Sequence, residues 1–277
     1  QLRFIFLLEY SLSKRLVTGY LHQPYNWFLN RHSSDIGKTI LSEVGQVVGS
    51  GINQIVEIIA KSMVVIALTT LLILTNPKLA LIVGFVLSVA YWLIYKFTKN
   101  YLDYIGKKRL KSNELRFKSI SEAFSAAKEI KVGGLEEAYI KRYAEPARFF
   151  ALFQATASAI SQLPRFALEA IAFGGVILMI LYLMAITGDF DNALPVISLY
   201  VFAGYRLLPA VQQIYASFSR LVFFGPSFNN LYDDIKNIYP IKINQNKDIL
   251  SLNKEIILKD IYYNYPNASR TALKGIN

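Results

Sequence analysis

Apolar and polar positions are not mixed evenly along this chain; they fall into long apolar blocks joined by charged ones. Four blocks are long enough to cross a bilayer core of about 30 Å, which takes roughly 20 helical residues. The first, Val56 to Leu74, reads VEIIAKSMVVIALTTLLIL and stops at TNPK. The second, Leu79 to Tyr95, follows at once, so Asn76 and Pro77 predict a short hairpin turn between two spans. The third runs from Phe166 to Ile186, and the fourth opens near Pro195 with PVISLYVFAGYRLLPAVQQIYASF. Leu2 to Leu8 read as the inner end of an earlier span. The pattern predicts an all-α polytopic membrane protein.

The longer connections are as helical as the spans. Residues 99–145 hold few breakers and space Ile120, Phe124, Ala127 and Ile130 as a helix would. Helices running 15 to 20 residues past the membrane would reach roughly 25 Å beyond it. Two turns punctuate them. QPYNWFLNRHSSDIGKT (23–39) joins a proline and aromatics to a polar run, and SEAFSAAKEIKVGGLEEAYIKRY (121–143) breaks at Gly133 and Gly134. Each taken alone suits an amphipathic helix lying on a membrane surface. Their matching places, one after each inward-going span, favour docking on a partner domain. The last helix is expected to reach about Tyr239. PIKINQNKDILSLNKE (240–255) is then polar, and IILKDIYYNYP alternates as a strand does.

Composition sharpens the membrane reading. The chain is 53% hydrophobic with only 18% charged residues, so the apolar content must be concentrated. A net charge of +11 suits nucleic acid or the cytoplasmic side of a membrane protein, and position decides between them. Between Lys96 and Arg148 lie 13 Lys/Arg and 7 Asp/Glu, whereas the connections Thr75 to Lys78 and Thr187 to Pro195 share one lysine. This bias places residues 10–50, 96–148 and 225–277 in the cytoplasm and argues against a nucleic-acid partner. With no cysteine, disulfides, thiolate metal sites and cysteine catalysis are excluded.

Few residues carry candidate chemistry. Arg206 lies 11 residues into the fourth span, about 16 Å deep by helical rise. A guanidinium there is costly, and either pairs with another helix or meets a ligand such as phosphate. Arg165 and Glu169 are four apart at the inner boundary, about 33 Å down from Thr187. They either pair with each other or serve a substrate cavity. Glu57 and Lys61 read as a structural pair, and Gly45-Gln-Val-Val-Gly49 as a close helix contact. Gly37-Lys38-Thr39 mimics the end of a phosphate-binding loop, but His32 stands where its first glycine is required and no strand precedes it. His22 and His32 lack metal spacing. Asn267 begins a formal glycosylation sequon on the cytoplasmic side.

Long helices with paired turns, a linker and then EIILKDIYYNYPNASRTALKGIN resemble an ABC exporter half-transporter, from its second transmembrane helix into its nucleotide-binding domain. The resemblance implies a transmembrane domain over 1–239 that lacks the first helix, a linker over 240–254, and over 255–277 the first strands of an ATP-binding domain that stops before the Walker A loop. It implies a fragment of a longer chain, working as a homodimer in the bacterial inner membrane. ATP and Mg would be its cofactors once the rest of that domain is supplied. Tyr265, before the proline of YP, would stack on adenine. Coupling elements would lie at 24–31 and 122–134, carried by Tyr25, Trp27, Phe28, Phe124, Lys128 and Glu129. LPRFALEAIAFG (163–174) and YRLLPA (205–210) are closest to flippases of lipid-linked oligosaccharides, which makes Arg206, Arg165 and Glu169 the candidates for an amphipathic cargo. The alternatives are export of a peptide, polysaccharide or other lipid, and a membrane scaffold without an ATPase.

Overall fold

The computed structural model describes residues 2–29, 31–187, 190–238, 254–265 and 270–277. The linker over 240–253, the sequon at Asn267 and the proline of the YP pair lie outside them. Helix α1 spans Leu2–Leu21 and α2 spans Tyr25–Leu29. A helix from Ser33 to Thr75 then runs unbroken through α3 (Ser33–Lys38), α4 (Val44–Val47) and α5 (Asn53–Thr75). Two wider π-helical turns, Thr39–Glu43 and Val48–Ile52, separate these pieces. Next come α6 (Pro77–Ser125), α7 (Ala127–Gly133), α8 (Glu136–Thr187) and α9 (Phe190–Asn237).

The helices are longer than the hydropathy blocks because nothing stops them at the membrane boundary. From Tyr95, α6 continues for 30 more residues to Ser125, about 45 Å rather than the expected 25 Å. The fourth span opens at Phe190, not Pro195; α9 absorbs Pro195, Pro209 and Pro226, and α8 absorbs Pro146 and Pro164. In a packed membrane bundle, neighbouring helices tolerate prolines that would end a free helix. The hairpin at Asn76 forms as predicted. Asn76 is extended (φ −149°), Pro77 opens α6, and the Tyr200 hydroxyl of α9 donates to the Asn76 carbonyl at 3.0 Å.

Three apolar clusters fasten the bundle in series. Near the hairpin, Leu72, Ile197, Tyr200, Ala203 and Leu207 join α5 to α9. Farther along, Leu102, Ile105, Ala157, Ile160, Phe223 and Phe224 join α6, α8 and α9. At the far end, Leu16, Tyr20, Val44, Val48 and Leu231 join α1, the π-widened helix and α9. Met63, Ile66, Leu81, Ile82 and Phe85 face outward, each more than half exposed. That much exposed apolar side chain suits lipid rather than water.

The terminal strand is shorter than the alternation predicts. β1 is Ile261–Tyr263 and pairs antiparallel with β2, Leu273–Ile276, matching Ile261 to Ile276 and Tyr263 to Leu273. Asp260, at φ 48°, turns the chain out of the ladder, so Ile256 to Leu258 stay exposed. The register slips by one residue at Gly275, whose φ of 56° makes the bulge.

Two sequence expectations about packing fail. Glu57 and Lys61, both partly buried, form no ion pair among the described residues; a surface i, i+4 pair is worth only about 0.3–0.5 kcal/mol, too little to hold both side chains. Gly45 and Gly49 do not build one close helix contact. A Cβ at Gly45 would meet the Glu9 carboxylate at 2.9 Å, while one at Gly49 would meet nothing within 4 Å. The π-helical turn at Val48 rotates the second glycine off the first one's face.

Candidate functional site

Two short helices cap the extensions. In α2, Trp27 stacks on Tyr20 with centroids 5.1 Å apart, and the Arg31 guanidinium lies 4.4 Å over the Trp27 ring. Arg31 pairs with Asp234 of α9 at 2.9 Å, and the Tyr20 hydroxyl donates to the same carboxylate at 3.1 Å. Burial, reinforced by Asp234, holds the Tyr20 phenol above its ordinary value, so it remains a donor. Trp27 is thus an anchor, Phe28 packs edge-on against it, and Tyr25 is left 75% exposed. The Tyr263 hydroxyl of β1 donates to the Asn26 side-chain oxygen at 3.1 Å, bringing the hairpin onto α2.

Helix α7 is built the same way. Ile130 is buried and Gly134 closes the helix at φ 63°, letting the Leu135 amide donate back to the Ile130 carbonyl at 3.0 Å. Lys131 pairs with Glu136 at 3.0 Å. Lys128, Glu129 and Phe124 are exposed, as is Val132, which sequence reasoning passed over. Both short helices therefore spend one apolar side chain on attachment and present others outward.

Arg165 and Glu169 pair at 2.8 Å on α8, with Arg165 largely exposed. Arg206 is exposed on α9 and makes no hydrogen bond or ion pair among the described residues. The next residue, Leu207, lines a cavity of about 460 Å³ between α5, α6 and α9. Its walls are mostly apolar and aromatic, with Tyr91, Trp92, Tyr95, Tyr215 and Phe218. Tyr265 is half exposed and meets Tyr263 edge-on at 5.1 Å, leaving a ring face open. Gly37 and Lys38 lie inside α3, so the sequence that mimics a phosphate loop is helix.

A buried charged cluster was not anticipated. Arg109 of α6, 14 residues past Tyr95 and so about 21 Å farther along, is fully buried. Its guanidinium donates to Glu43 at 2.9 Å and to Ser227 of α9. Asn113 donates to the other Glu43 oxygen and accepts from Arg116 at 2.6 Å. The guanidinium lies 5.0 Å from the Phe224 ring centroid. Burial pulls the Arg109 group below its ordinary value and Glu43 opposes this, while Nε and Nη1 have no hydrogen-bond partner among the described residues. The cluster ties three helices together on the predicted cytoplasmic side. Its signal was present as Leu102, Ile105, Arg109 and Asn113, a buried stripe at helical spacing hidden in a charge-rich run.

A family model of the ABC transporter transmembrane region matches residues 7–205. Among solved structures, that of a bacterial Atm1-family ABC exporter with ATP bound superposes with a TM-score of 0.72 at 13% identity. The match covers 99% of this chain and 48% of that one, so this chain spans about half that exporter's length. At such identity the likeness is one of fold.

Proposed function

The chain belongs to the ABC transporter transmembrane region family, and from that premise we propose that it serves as the membrane-spanning half of an ATP-driven exporter. Its proposed cargo is amphipathic, above all a lipid-linked oligosaccharide, moved by alternating access in a homodimer of the bacterial inner membrane. The observation that carries the exporter reading is the pair of short helices at the tips of the extensions, with Tyr25, Phe124 and Val132 at least three-quarters exposed. Such tips need a partner surface, and a nucleotide-binding domain is the partner that would move them.

Bound ATP with magnesium supplies the free energy of hydrolysis. This chain contributes the Tyr265 ring, whose open face suits adenine, and the helices that carry the motion. A push on α2 or α7 reaches the bundle through α6, α8 and the Ser33–Thr75 helix. The Arg109–Glu43 cluster makes that lever stiff, because three helices share one buried pair.

Support for the cargo comes from Arg206, which precedes Leu207 of the aromatic cavity in α9 without being part of its wall. An apolar chain fits the cavity wall, and a pyrophosphate would satisfy the unpaired guanidinium. Arg165, held by Glu169, would meet the headgroup at the inner boundary. The test is ATP-dependent flipping of a fluorescent lipid-linked oligosaccharide by the full-length transporter in vesicles. Arg206→Ala is expected to cut flipping about tenfold or more with assembly unchanged. Unaltered flipping by that variant would overturn the pyrophosphate contact, and no ATP-dependent flipping by the unsubstituted transporter would overturn the cargo and favour a peptide, polysaccharide or other lipid.

A further inference from the structure

A second, polar cavity of about 180 Å³ opens where the π-helical turn Val48–Ile52 meets α8 and α9. Its polar lining is Ser50, Gln154, Ser158, Ser219 and Arg220, and no Asp or Glu contributes to it. Two of these groups are left incomplete. Ser219 is only 1% exposed, yet its hydroxyl has no hydrogen-bond partner among the described residues. The Gln154 side-chain oxygen is buried and equally unpartnered. Arg220 stands at the same cavity and makes no ion pair among the described residues. Buried polar groups are nearly always satisfied by protein or by something bound, so two orphaned groups on residues that line one cavity point to an occupant. The space equals that of about six waters, more than a single bridging water fills.

The donor set names the occupant's chemistry. A guanidinium and serine hydroxyls around a carboxylate-free wall select an anion with several acceptor oxygens. The Gln154 oxygen needs a hydroxyl donor next to it. Ser50 lies six residues before Val56, about 9 Å inward of the apolar span, close to the level of the inner-leaflet headgroups. Phe223 and Phe224 form an apolar part of the wall, suited to the carbons beside such a group.

We propose that this cavity is a phosphate-binding site at the inner membrane boundary, taking a phosphate group that keeps a P–OH to donate to the Gln154 oxygen. It is separate from the aromatic cavity and does not depend on the transport reading. The shared chemistry has two sources, a lipid headgroup or a soluble phosphate. The experiment titrates the detergent-solubilised full chain with dihexanoyl phosphatidic acid, inorganic phosphate and dihexanoylglycerol, following binding by calorimetry. Saturable binding of phosphatidic acid, and none of the phosphate-free dihexanoylglycerol, is expected. Arg220→Gln should weaken it by about tenfold and the near-isosteric Ser219→Ala by about threefold, while Lys107→Gln, on exposed helix surface, leaves it unchanged. Arg220→Lys should restore part of the loss. Competition by inorganic phosphate at similar concentration assigns the site to a soluble ligand; absence of competition assigns it to a lipid headgroup. Lack of saturable binding, or equal weakening by Arg220→Gln and Lys107→Gln, overturns the site.

Discussion

Arg109 shows how one side chain can be misjudged from its neighbours. It sits in GKKRLKSNE, where three adjacent basic residues suggest a solvated face, yet it is fully buried while Lys107 is 67% exposed in its side chain. Helical periodicity separates them, because 109 falls on the stripe of Leu102 and Ile105 and 107 does not. Removing one partner from a buried ion pair strands the other charge, which costs about 3–5 kcal/mol. Arg109→Met is therefore expected to lower the melting temperature of the solubilised protein markedly. The double variant Arg109→Met/Glu43→Leu should recover most of the loss, since a buried pair can be exchanged for apolar packing at little cost. If the double variant melts as low as the single one, the pair itself is the source of stability.

At the scale of elements, the tightest contact at any described glycine falls where no small-residue motif marks it. A Cβ placed on Gly106 of α6 would run into the backbone carbonyl of Phe223 in α9. Backbone cannot swing aside as a side chain can, so Gly106→Ala must push the two helices apart. The expected destabilisation is about 1–3 kcal/mol, read as a lower melting temperature and as faster amide exchange around Phe223. Gly49→Ala, open to space, should change neither. The predicted small-residue contact at Gly45 and Gly49 rested on regular α-helical spacing, which the π-helical turns disrupt.

At the scale of the whole molecule, two arrangements matter: which ends of the helices face the cytoplasm, and what the tips meet. The charge bias predicts the Asn76 hairpin outside and α7 inside. The absence of native cysteine makes this directly measurable. A cysteine at Asn76 should react with a membrane-impermeant maleimide in intact cells, whereas one at Lys128 should react only after permeabilisation. The opposite labelling would invert the bundle and remove α2 and α7 from any cytoplasmic ATPase. For the tips, Phe124→Ser and Val132→Ser are expected to leave melting unchanged within about 0.5 kcal/mol, since both side chains are about four-fifths exposed. The same substitutions should uncouple ATP hydrolysis from transport in the full-length exporter.

Much of this was legible in one dimension. Apolar blocks near 20 residues and an Asn-Pro turn specify spans and hairpin, and a one-sided excess of lysine and arginine predicts the orientation. They do so because each is a local statement about transfer from water to lipid or about one backbone turn. The short helices α2 and α7 were equally readable from proline, glycine and aromatic residues between long helical runs. What the chain could not announce depends on residues far apart in sequence. Glu43 meets Arg109 and Ser227, Gly106 meets Phe223, and Ser50 meets Gln154 and Arg220 only after three helices pack. Hydropathy ranks a residue by its own side chain, whereas burial of a charge or an orphaned hydroxyl is decided by the neighbours that folding supplies.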